Sequence, residues 1–231
     1  MNKATESGSG VPATDAGVPA TDRGGEDRRQ RKARQTREAL ADAAIDLILE
    51  HGLAAVTVEA VAERADVTRR TFSRHFGSKE AAALDFTRAD GDRINAALRV
   101  RPADEPPLAA YRAAVQDWLA DPAAPGLHRR SRTRALLALV DTEPALFAAY
   151  ERVRVDAQDE SVRIIADRLG TDPARDQRPA VVVGAAAGVL TAALRSWARG
   201  GHGHDADLAA HVEQAYAVLT GEAALAAPHI G

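Results

Sequence analysis

Residues 37–83 read REALADAAIDLILEHGLAAVTVEAVAERADVTRRTFSRHFGSKEAAA, and the spacing in this stretch sets the fold class. Leu40, Ala43, Ala44, Leu47 and Ile48 recur at the i, i+3, i+4, i+7, i+8 positions of an amphipathic helix, and Gly52 after His51 supplies a stop. Thr57 is placed to cap a second short helix, with Glu59 in its first turn and Val58, Val61 and Ala62 turned inward. That helix ends near Ala65; Thr68 caps a third and Ser78 a fourth. On a wheel of about 100° per residue, Phe72 and Phe76 share one face of the third helix and Arg70 and Arg74 point away from it. Arg69 and Ser73 lie on one flank, Thr71 and His75 on the other. A short helix docked by aromatics, arginines outward, and preceded by a helix and a tight turn suits a DNA major groove. There an arginine bonds O6 and N7 of guanine together. Lys79 and Thr57, each at a helix start, sit where phosphates are held.

The same stretch resembles the DNA-binding domain of the TetR (tetracycline-repressor-type) transcriptional regulators, closely from Arg37 to about Leu84. The resemblance implies that Thr68, Arg69, Arg70, Thr71, Ser73, Arg74 and His75 form the recognition surface, with Thr57 and Lys79 contacting phosphate. Two positions depart from the family pattern. Asp66 stands where the family has a turn glycine, and aspartate tolerates left-handed backbone better than most residues. Ser73 stands where the family has a tyrosine.

Outward from this stretch, residues 1–27 carry SGSG and the tandem VPATDAG–VPATDRG and are poor in large apolar side chains. They read as a disordered tail. Arg28 to Arg37 follow as a basic segment without an acid, close enough to a DNA domain (28–84) to touch its backbone or minor groove. Beyond it, residues 85–225 read as a helical ligand-binding and dimerisation domain, with helices near 107–120, 128–140, 144–169, 178–199 and 205–220. No period-2 alternation appears, so the expected class is all-α: an N-terminal three-helix helix-turn-helix domain, then a helical domain.

Composition narrows the chemistry. The chain has no cysteine, which removes disulfides and thiolate chemistry, and its net charge is −3. The arginine excess runs the whole length and so marks no single site. The longest apolar run, Ala180–Leu194, falls short of the roughly 20 residues of a membrane span, and a soluble cytoplasmic protein without membrane partners is expected. His202 and His204, with His211, lack a carboxylate constellation and read as linker, so neither metal nor cofactor is expected. Nothing resembles a catalytic motif.

RPADEPPLAA (101–110) and TDPARDQRPAVVVGAAAGVLTAALRSWARGG (171–201) are similar to an actinobacterial branch of these regulators. Its C-terminal domain is described as acyl-CoA-like ligand-binding. Tyr111, Trp118, Phe147, Tyr150 and Trp197 are the large side chains on hand for a cavity. Arg129 and Arg130, in HRRSRTR (128–134), are candidates for the phosphates of a CoA-type effector; a purely apolar drug-like effector needs no such cluster. Val181, Gly184, Ala185, Gly188 and Ala192 give one helix a small-residue surface suited to a dimer interface. The whole reads as a homodimeric repressor on a palindromic operator, released by an acyl-CoA-like or hydrophobic effector. The rival is a helical small-molecule binding protein or enzyme without a DNA role.

Overall fold

In the computed structural model, residues 23–121, 131–200 and 208–226 are described, and all their regular structure is helical. The helices are α1 (Arg23–His51), α2 (Val58–Arg64), α3 (Arg69–His75), α4 (Lys79–Ala83), α5 (Asp85–Arg99), α6 (Pro107–Ala120), α7 (Ser131–Val140), α8 (Pro144–Leu169), α9 (Arg178–Arg199) and α10 (Leu208–Ala226). A 3-10 turn, Leu53–Ala55, joins α1 to α2. Arg129, Arg130, His202, His204 and residues 1–22 of the expected tail lie outside the described residues.

The chain divides at Thr36, and of the first unit residues 23–36 are described. Within it the basic segment is helical and exposed, with Arg31 paired to Asp27 one turn earlier at 2.9 Å. The periodicity of apolar residues placed the helix start after Arg37. It begins instead at Arg23, because good helix formers and an i, i+4 pair extend a helix without an apolar face.

Arg37–Gly231 is the second unit. It holds two cores. The first gathers Leu40, Ile48, Val61, Phe72 and Leu84, and continues into Leu136 and Val140 of α7 and Leu146 and Tyr150 of α8. Each such side chain fully buried contributes about 1.5–3 kcal/mol. The second gathers Leu98, Val115, Trp118, Ile165, Leu190 and Tyr216 from α5, α6, α8, α9 and α10. Arg37 is a fastener of the first core: Nε donates to Asp85 Oδ2 at 2.8 Å, Nη1 to the His75 carbonyl, and the guanidinium lies 4.5 Å over Phe76. Read in sequence as the last residue of a basic arm, it is committed to packing.

The fourth helix, capped by Ser78 as read, ends at Ala83; after a backbone break at Leu84 comes α5, a helix the sequence reading passed over. On α9, Val183, Ala186, Leu190, Ala193 and Trp197 are buried. The opposite side carries Val181, 61% exposed, with Gly184, Gly188 and Ala192 exposed and Ala185 half-buried. A Cβ on Gly184 or Gly188 would meet nothing within 4 Å, so neither glycine serves a close contact within the chain. By length and composition α9 could cross a bilayer.

Candidate nucleic-acid interface and effector cavity

Three hydroxyls set the N-terminal helices. Thr57, Thr68 and Ser78 each accept, at 3.1 Å, from the backbone N–H three residues on, giving α2, α3 and α4 fixed starts. Between α2 and α3 the turn is a Schellman motif: Val67 N–H donates to Ala62 O at 2.9 Å and Asp66 N–H to Glu63 O at 3.0 Å. Asp66, with φ of 53°, occupies the left-handed position.

The turn orients α3 so that Phe72 and Phe76 are buried, their ring centroids 5.9 Å apart. Arg70, Ser73 and Arg74 are exposed, and Arg70 and Arg74 form no hydrogen bond or ion pair among the described residues. Arg69 pairs with Glu59 at 3.1 Å, leaving its position adjustable but not its charge unopposed. Thr68 and Thr71 share a hydroxyl contact of 3.0 Å. His75 is half-buried, its Nε2 without a partner in the protein. Burial, with Arg74 and Arg37 nearby, pushes its pKa below the ordinary histidine value. It sits between the face and the core instead of fully on the face. The Lys79 ammonium donates to the carbonyls of Leu53 and Val56, both at 2.6 Å, and thereby closes the turn after α1.

A cavity of about 90 Å³ lies among α5, α7, α8 and α9 and is also lined by α6. Its walls include Phe86, Ile94, Tyr111, Trp118, Leu137, Tyr150 and Leu190. Tyr111, Trp118 and Tyr150 of the sequence candidates thus come together there. Phe147 does not: it is 42% exposed and borders a second, smaller pocket with Asp141 and Arg195. Near the start of α8 its direction is fixed by Leu146 and Tyr150, which take the buried side. Trp197 faces Arg134, whose guanidinium lies 5.2 Å over its ring. Arg132, from the same basic cluster, pairs with Asp42 and, at 3.1 Å, with Asp46.

Polar residues of the lining went unread in the sequence, Thr87, Asp90, Thr133 and Gln158 among them. Trp118 Nε1–H donates to Asp90 Oδ1 at 3.0 Å, and Arg93 lies 3.5 Å from the same oxygen. Burial outweighs both and raises the Asp90 pKa to about 6. A single polar residue on a mixed helix has no period to reveal it; only the juxtaposition of four helices does.

Phe86 and Tyr150 belong both to the first core, which also holds Phe72 of α3, and to the cavity wall. A chain organised in this way is a DNA-binding regulator with a small-molecule site. Residues 40–83 match the model of bacterial regulatory proteins of the tetR family, and residues 105–224 match the MftR C-terminal domain. The chain is 39% identical over 176 residues to the HTH-type transcriptional regulator TcmR of Streptomyces glaucescens, covering 73% of this chain and 76% of TcmR. It is 42% identical over 60 residues to the uncharacterized HTH-type transcriptional regulator YdeS of Bacillus subtilis (strain 168), 26% of this chain and 30% of YdeS. The structure of the fatty acid degradation regulator FadR from Bacillus halodurans matches with a TM-score of 0.53 at 16% identity, covering 80% of this chain and 95% of that one. At that identity the likeness concerns the fold alone. The chain belongs to the tetR family of bacterial regulatory proteins and is a DNA-binding transcriptional regulator.

Proposed function

We propose that the protein binds a palindromic operator as a homodimer in the cytoplasm, acts without catalysis, and is released by a small molecule held in the α5–α9 cavity. The observation that carries the DNA reading is the pair Arg70 and Arg74, exposed and unbonded opposite buried Phe72 and Phe76. Thr68, Arg69, Thr71 and Ser73 complete the face, His75 supports it from its edge, and Thr57 and Lys79 border the phosphates. Two such faces about 34 Å apart meet successive major grooves. The dimer rests on the uncovered small-residue side of α9, which gives this apolar helix a protein partner in place of lipid.

The cavity acts on DNA affinity through Phe86 and Tyr150. An occupant that shifts either repacks the core beneath α3, and a coupling of about 1–3 kcal/mol is typical. Acyl-CoA thioesters belong in the first screen, although Arg132 and Arg134 of the basic cluster are engaged inside the protein.

The test is a gel shift with the DNA flanking the protein's own gene, against competitor DNA. A retarded complex that survives competitor supports the reading; retardation equal on any sequence overturns it. Gly188→Leu tests the dimer by light scattering. A Cβ at this position meets nothing within 4 Å among the described residues, so the monomer is expected to fold, and a dimer that persists unchanged removes α9 from the interface.

A further inference from the structure

A hydroxyl on the buried side of a helix ordinarily bonds back to the carbonyl four residues earlier. Thr191, on the cavity wall, does so, donating to Ala187 O at 2.9 Å. Ser161 is satisfied too, by Asn95 Oδ1 at 2.7 Å and Ala157 O at 3.1 Å. Thr87 Oγ1, Thr133 Oγ1 and Gln158 Nε2 are not: each is buried with no partner in the protein. They come from three helices, α5, α7 and α8, and all three line the one cavity. Buried polar atoms of natural proteins are otherwise nearly all bonded. Three in the lining of one void, whose walls also hold Phe86, Trp118 and Tyr150, make a recognition surface.

We propose that the effector is a neutral molecule with a ring-bearing apolar frame that carries both carbonyl and hydroxyl oxygens. This rests on reading the cavity as the effector site. Gln158 Nε2 has only hydrogens to offer and takes a carbonyl oxygen; the two threonine hydroxyls donate or accept as the ligand requires. The ligand is neutral because the charges on the wall are already opposed. Arg154 donates from Nε to Glu151 at 3.0 and 3.1 Å, and Asp90 has Arg93 and the Trp118 indole. An unadorned acyl chain would leave all three atoms unbonded. At about 90 Å³ the void is smaller than the roughly 150 Å³ that takes benzene, so a ring ligand must enlarge it. α5 and α8 meet tightly at Gly91, where a Cβ would fall 2.9 Å from Ala157 Cβ, so such a ligand drives these helices apart. That is the displacement a release mechanism requires.

The experiment compares 1,8-dihydroxyanthraquinone with anthracene, lauroyl-CoA and tetraphenylphosphonium on the full-length protein. Binding is read by quenching of tryptophan fluorescence and by thermal shift, and release by the gel shift. Thr133→Val and Gln158→Leu keep shape while removing the unbonded atoms. The quinone is expected to bind and release DNA, and each variant to weaken it tenfold or more while leaving anthracene unchanged or tighter. Quinone affinity within twofold of wild type in both variants overturns the proposal, as does release by lauroyl-CoA or tetraphenylphosphonium with no effect of the quinone. In that second case the cavity remains the effector site. A cavity-filling Leu190→Trp distinguishes the other failure: if it leaves binding and release by every active compound intact, the cavity is not the effector site at all.

Discussion

The helices before Leu84 and those after it solve opposite problems. α2, α3 and α4 are five to seven residues long and each begins on a side-chain cap, so their polar groups are spent on fixing position. α6, α8 and α9 run 14 to 26 residues, carry a proline at their first or second position in place of a side-chain cap, and line a void edged by unbonded polar atoms. Helices that short are unstable alone; their geometry is dictated by caps and by Phe72 and Phe76. The long helices are held by extended apolar contact and tolerate a gap between them. One region presents a fixed surface, and the other keeps room to respond.

The sharpest break of this contrast is Phe72→Ala. Truncating a fully buried phenylalanine typically costs about 3–5 kcal/mol, and here it removes the anchor of α3. Urea unfolding followed by circular dichroism should show that loss, together with loss of operator binding. If stability falls but α3 still binds DNA with wild-type affinity, the caps alone fix the surface.

The regions also differ in the sign of their pH response. Asp90, raised from 3.8 to about 6, holds its proton more tightly folded than unfolded. Its contribution is therefore complete below about pH 4 and is lost as pH rises to about 6. At 1.36 kcal/mol per unit the loss is about 3 kcal/mol. Asp90→Asn, which still accepts from Trp118, should recover about that much at pH 7.5 and flatten the profile between pH 4 and 6. His75 runs the other way: with its pKa lowered by burial, the unfolded chain takes the proton first, and stability falls as pH drops below 6.5. In Asp90→Asn, a remaining acid-side loss that vanishes in His75→Gln assigns the two signs to the two regions. The two slopes offset each other in the wild type, so the variants decide: a flat profile in Asp90→Asn contradicts the His75 sign, and a flat one in His75→Gln contradicts the Asp90 sign.

On the fixed surface itself, Arg70→Ala and Arg74→Ala should each weaken operator binding by about 1–3 kcal/mol per lost base contact, with melting temperature unchanged because both side chains are exposed. Fluorescence anisotropy on operator and on random DNA checks this. Lys79→Ala should differ in kind: it leaves the Leu53 and Val56 carbonyls without their donor. A fall in stability alongside affinity is expected there, where the sequence suggested a phosphate contact alone.

How far the sequence could be read follows the same divide. Caps, turn residues and aromatic spacing are local, so α2 and α3, the burial of Phe72 and Phe76, and the exposure of Arg70 and Arg74 were all legible. The long-helix bounds were legible too, from proline and glycine breaks: 107–120, 144–169 and 178–199 are as read. What escaped depends on contacts far apart in the chain. Lys79 turns back 26 residues to Leu53. Asp90 acquires its environment from Trp118, 28 residues on. Phe147 counted as a cavity aromatic by type, while Phe86, which lines the cavity, was passed over in the unread helix α5. The Leu84 break has no glycine or proline to announce it.

The smallest effect belongs to the turn that makes α3 possible. A left-handed conformation costs an ordinary L-residue roughly 1–2 kcal/mol, and aspartate less. Asp66 adopts it at φ 53° with its side chain exposed. Asp66→Gly removes the remaining strain, but glycine also has more unfolded freedom to lose, so the two terms oppose each other. The net change should be within about 0.5 kcal/mol. Asp66→Val keeps the strain and adds a branched side chain, and should cost about 1–2 kcal/mol. Both are read by urea midpoint. Operator affinity then separates backbone from charge. Removing an exposed carboxylate beside the recognition helix should tighten binding slightly in Asp66→Gly, and more so at low salt. In Asp66→Val the same charge is gone but the turn is strained, so affinity should fall. Equal affinities for the two variants would mean that the α2–α3 turn does not set the pose of α3, and the fixed surface would have to be credited to Thr68 and the buried phenylalanines alone.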